Sequence, residues 1–137
     1  MPTEAEWEFS CRAGTTTPFY LGGTISTDNV NYNGVCISVN GKTGVFRQGT
    51  TVVGSFPANA FGLLDMHGNV FEWCQDWSGN YLQNDVVDPK GPNEGKYRVI
   101  RGGSWIHFPG ACRSAFRGKD GPTHSPQVGC RLCFSLD

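Results

Sequence analysis

The chain has 137 residues, 38% of them hydrophobic and 12% aromatic, so length and composition favour one domain, residues 1–137, with a real core. Eleven Lys and Arg against twelve Asp and Glu leave a formal net charge of −1 with the signs mixed, which gives nucleic acid or an anionic membrane surface no electrostatic hold. No apolar run approaches the ~20 residues that span a bilayer, so direct membrane insertion by this domain is not expected.

The first predicted element is a helix over residues 3–13. Thr3 and Glu6 have capping-box spacing with Pro2 just before them. Ala5 and Phe9, and Trp7 and Cys11, repeat four residues apart, while Arg12 and Gly14 suit the last turn and the residue beyond it. From 15 to 51 the chain is rich in turn dipeptides: Gly22-Gly23, Asn33-Gly34 and Asn40-Gly41. Residues 52–57 are predicted extended up to Pro57, and residues 59–65 as one helical turn. Strands are predicted over 70–74, 97–104, 112–117 and 128–135, with loops at 78–95 and 118–126. The fold class is α+β: one clear N-terminal helix, long ordered loops and a small antiparallel sheet.

Cys11, Cys36, Cys74, Cys112, Cys130 and Cys133 leave two readings open, one disulfide or buried free thiols. Cys130 and Cys133 have C-x-x-C spacing but no second ligand pair to make a zinc site. The segment Arg101-Gly102-Gly103-Ser104-Trp105, followed by Cys112-Arg113-Ser114-Ala115-Phe116-Arg117, has the character of a rigid frame. Between its halves, residues 106–111 show no periodicity.

Several strings together resemble the formylglycine-generating-enzyme (sulfatase-modifying-factor) domain family. They are Pro2-Thr3-Glu4-Ala5-Glu6-Trp7-Glu8-Phe9, Val53-Gly54-Ser55-Phe56-Pro57, Asn59-Ala60-Phe61-Gly62-Leu63, Asp65-Met66-His67-Gly68-Asn69-Val70-Phe71-Glu72-Trp73 and Arg98-Val99-Ile100-Arg101-Gly102-Gly103-Ser104-Trp105. The resemblance implies an elaborated C-type lectin fold. Trp7, Phe56, Phe61, Phe71, Trp73 and Trp105 are expected in its core. Enzymes of this family hold Cu(I) with two cysteines just after the Gly-Gly-Ser-aromatic motif, soft thiolates suiting that ion. Here His107 stands at the first of those positions, and Cys112 is the one cysteine between residues 106 and 117. Non-enzymatic binding is therefore expected, with a copper-dependent oxidase converting a sulfatase cysteine to formylglycine as the alternative.

The chain also resembles the variable proteins of diversity-generating retroelements, the treponemal one most closely. These present a diversified C-terminal region on a C-type lectin fold. Mutagenesis of adenines in Asn-type codons reaches every residue from 106 to 111, but not Trp105, Lys119 or Gln127. The resemblance implies a surface-displayed protein with a variable region at about 105–127. Its expected ligand-binding residues are Ile106, His107, Phe108, Gly110, Ala111, Phe116, Gly118, Asp120, Gly121, Thr123, His124 and Ser125. The expected partner is a protein or other macromolecular surface ligand. Localisation is expected at the cell surface, by a lipoprotein anchor in a segment absent from this chain. No cofactor is expected to be required. The resemblance does imply a structural calcium site at the side chains of Asp65 and Glu72 and the carbonyls of Gly68 and Val70. It further implies that Cys11 pairs with Cys130 or Cys133 in some relatives.

Overall fold

The computed structural model describes residues 1–36, 43–121 and 125–134. Helix α1 spans Glu4–Arg12 and carries the predicted caps: Thr3 accepts from the Glu6 backbone, and the Glu6 side chain accepts from Thr3. Ala13 closes the helix in the left-handed region at φ 46°. Trp7 and Cys11, one helical turn apart, point into the molecule and meet Met66, Cys74 and Val99 in one core cluster. Phe19, Ile25, Val30, Tyr32 and Cys112 form a second cluster beneath the long loops.

Four strands form the sheet: β1 (Phe71–Trp77), β2 (Arg98–Arg101), β3 (Gly118–Asp120) and β4 (Val128–Gly129), in the order β3-β2-β1-β4. The sheet is mixed, not antiparallel throughout as expected. β1 and β2, and β2 and β3, are antiparallel, but β4 runs parallel to β1, with Phe71 opposite Val128 and Glu72 opposite Gly129.

Other expectations need correction too. Residues 112–117 are not a strand: Pro109–Cys112 is a short 3-10 helix, and β3 falls in the segment read as loop. Proline at the first turn of that helix fits its fixed φ. The terminal strand is two residues long; residues 130–134 leave the sheet, and 135 lies outside the described residues. Residues 52–57 form turns. Of the six aromatics expected in the core, Trp7 and Phe71 are buried, whereas Phe61 is 52% exposed and packs on Phe9 at the surface. Phe56, Trp73 and Trp105 are half-buried. All six cysteines are free, and Cys11 is buried while Cys130 and Cys133 are exposed, so the expected pairing is not formed.

Candidate active site

Arg101 ends β2 fully buried, and its guanidinium organises the frame. It donates to the carbonyls of Ser114, at 2.7 Å, and Phe116, at 2.9 Å. It also pairs with Glu8 and with Glu4, the latter at 3.4 Å. Glu4 in turn accepts from Arg117 at 2.9 Å and from the Tyr81 hydroxyl at 2.8 Å. A buried charge with this many partners locks the loop after the 3-10 helix onto α1; losing one member of such a set costs roughly 3–5 kcal/mol.

Gly103 then turns the chain in the left-handed region, at φ +77°. A Cβ there would lie 2.5 Å from the Cys112 sulfur and 2.9 Å from its Cα. The glycine is what allows the two halves of the frame to touch. Beyond it Ser104 is fully buried, and its hydroxyl lies 2.7 Å from Nδ1 of His107. The His107 amide donates to the Ser104 carbonyl at 3.0 Å, and the His107 carbonyl accepts from Asn33 at 3.0 Å.

Around this anchored ring lies an aromatic face. His107 meets Phe71 edge-on at 4.9 Å, Phe71 lies 6.4 Å from Phe116, and Phe116 meets Phe108 edge-on at 6.4 Å. Ile106 and Phe108 are 41% and 51% exposed. His107, Gly110, Phe116, Gly118, Asp120, Gly121 and Ser125 are half-buried. Ala111 is corrected: it is completely buried in the 3-10 helix and can touch no ligand. Thr123 and His124 lie outside the described residues.

The residues facing a soft metal do not make the expected donor pair. Cys112 is completely buried, and burial pushes its thiol up to about 12, so it stays protonated at neutral pH. Burial also lowers the His107 imidazole below its ordinary range, leaving it neutral. One neutral thiol and one neutral imidazole are not a two-thiolate Cu(I) site.

The acidic loop offers a better fit to a cation. Asp65, Gly68, Val70 and Glu72 line one cleft of about 360 Å³, together with Gly54, Cys130 and Arg131. Asp65 sits at φ 56°, and its Oδ2 accepts from the Gly54 amide at 2.6 Å. Its Oδ1 is buried without a hydrogen-bond partner. Glu72 is already engaged: Oε2 accepts from Trp7 Nε1 at 2.7 Å and Arg131 Nε at 2.9 Å, and Oε1 from Arg131 Nη2 at 2.6 Å. No cluster of three or more His, Cys, Asp and Glu occurs among the described residues, so any ion here depends on main-chain carbonyls.

Three features are not legible in the sequence. Nothing local marks the Ser104 hydroxyl, which reaches a ring three residues on. His67 lies between the Cys11 thiol at 3.7 Å and the Tyr20 amide at 3.1 Å. A cleft of about 920 Å³ opens between α1 and the loop running through Tyr81, Leu82 and Pro92, and its walls come from segments more than sixty residues apart.

A family model described as "Sulfatase-modifying factor enzyme 1-like domain" matches residues 1–136. Serine/threonine-protein kinase pkn1 of Chlamydia caviae is 39% identical over 127 residues, which are 89% of this chain and 18% of that protein. The formylglycine-generating enzyme of Mus musculus is 36% identical over 135 residues, 91% of this chain and 36% of the enzyme. The solved structure of Treponema denticola variable protein 1 superposes with a TM-score of 0.76 at 32% identity, over 95% of this chain and 45% of that one. The chain thus spans less than half the length of each of these relatives. Formylglycine-generating enzymes from several further organisms match at comparable identity. Those enzymes overturn the expectation of a non-enzymatic, retroelement-diversified binding protein; the oxidase alternative is the better supported reading. No helix among the described residues is long and apolar enough to cross a membrane.

Proposed function

This chain belongs to the sulfatase-modifying factor enzyme 1-like domain family, and from that membership we propose that it is an oxidase domain of the formylglycine-generating type. It acts on a cysteine in a sulfatase-derived peptide and leaves an aldehyde. The observation that carries this reading is the match of 82–100% of the chain to enzymes of that name at 34–36% identity. The aromatic face around His107 supports it as the place where a peptide lies, since aromatic side chains offer large contact area at little entropic cost. The scaffold is read as a C-type lectin fold, a reading supported by its likeness to the treponemal protein.

A structural calcium ion at Asp65 belongs to the same proposal. The unpartnered, buried Oδ1 supports it, because a hard cation supplies what that oxygen lacks. The main-chain carbonyls of Gly68 and Val70 would complete the set, with Glu72 shared between the ion and Arg131. The test of the activity is aldehyde formation. The purified protein is incubated aerobically with a cysteine-containing sulfatase peptide, with and without added copper(I), and the product is captured with a hydrazide.

A further inference from the structure

We propose that His107 Nε2 takes the proton from the thiol of the incoming cysteine, and that Ser104 is the positioning residue that presents that nitrogen. The inference rests on the oxidase reading and names a residue that removes the substrate proton within it.

The geometry that carries it is the pair itself. Ser104 Oγ lies 2.7 Å from Nδ1, and the serine is completely buried, so its hydroxyl has no access to water. When Nδ1–H donates to that oxygen, Nε2 keeps its lone pair, and no described residue hydrogen-bonds to it. The ring cannot easily swing away. Its backbone is held on both sides, by Ser104 and Asn33, and Phe71 packs against its plane at 77°.

The surroundings suit the step. The exposed side chains of Ile106 and Phe108 flank the histidine and would exclude water from a docked peptide. Burial alone lowers the pKa of the ring, with no charged side chain contributing; the groups packed on it are Ser104, Phe71 and the Asn33 backbone. A neutral imidazole near neutral pH is a base ready to accept. The transfer is balanced within itself. The S–H bond of the substrate breaks, its electron pair stays on sulfur as thiolate, and the proton forms the N–H bond of the imidazolium. No oxidant takes part in this step.

Alkylation measures the thiolate directly. A sulfatase-derived cysteine peptide is treated with iodoacetamide in the presence of excess protein, and alkylated peptide is counted by mass spectrometry across a pH series. The wild-type chain is expected to accelerate alkylation about tenfold or more near neutral pH, within what a positioned base contributes. His107→Gln is expected to fall to the rate of free peptide, and Ser104→Ala to lie between, with the midpoint of its pH profile displaced. Thermal melts of both variants show whether they fold, and Ser104→Ala probes the pair from its buried side if His107→Gln does not. No acceleration by the wild type overturns the inference, as does equal acceleration by a folded His107→Gln. Acceleration without aldehyde formation would refute the oxidase reading and leave the proton acceptor standing. Aldehyde formation at an unchanged rate and pH profile in His107→Gln would refute the proton acceptor alone.

Discussion

His67 shows how much one side chain can depend on distant partners. Its ring is 2% exposed, stacked on Tyr20 at 4.8 Å and met edge-on by Phe19 at 5.3 Å. Desolvation lowers its pKa from 6.5 to about 4, while the Cys112 backbone pulls weakly the other way. The folded state therefore holds the ring neutral at pH values where the unfolded chain protonates it. Its contribution to stability is fully present above about 6.5 and drains away as pH falls from 6.5 towards 4. The size is on the order of 3 kcal/mol. Urea midpoints measured across that window should fall for the wild type and flatten for His67→Gln. A wild-type midpoint constant through the window would contradict the burial argument. In the sequence His67 was merely a member of the acidic loop. Nothing nearby signals that residues 11 and 20 will close over it, because such contacts are fixed by the tertiary fold and not by spacing along the chain.

At the scale of elements, what was legible was local. The helix announced itself through Thr3, Glu6 and an apolar repeat, all within one segment, and its ends fall within a residue of the expected ones. The strand expected at 112–117 failed for a reason visible only in three dimensions. Arg101 satisfies the carbonyls of Ser114 and Phe116, so this segment needs no strand partner there. The same junction explains the glycine before it. Gly14 has φ +89° with nothing within 4 Å of a built Cβ, so Gly14→Ala should cost only backbone strain, about 1–2 kcal/mol. Gly103→Ala adds an overlap with Cys112 to the same strain and should cost about 2–5 kcal/mol. Chemical denaturation of the two variants side by side checks the difference; equal losses would mean that the frame is not pinned at this contact.

For the whole molecule, the frame from Arg101 to Arg117 and the acidic loop were readable as motifs, and the family followed from them. Which residues of the frame face outwards was not readable. Ala111 and Phe108 both fit an unpatterned insert, yet the 3-10 helix buries the first and exposes the second. The acidic loop yields a prediction about the intact domain. If calcium sits at Asp65, a chelator should lower Tm by a few degrees and added Ca²⁺ should restore it. Saturation at a hundredfold excess over Kd is worth about 2.7 kcal/mol. Asp65→Asn should remove most of that response, and a Tm indifferent to chelator would dismiss the ion. The proposed oxidase function turns on the aldehyde. Mass spectrometry of the sulfatase peptide after aerobic incubation should show its cysteine converted to formylglycine, in amounts that rise with enzyme and with time. A peptide recovered with its thiol intact, from folded protein with and without copper(I), would contradict the oxidase assignment.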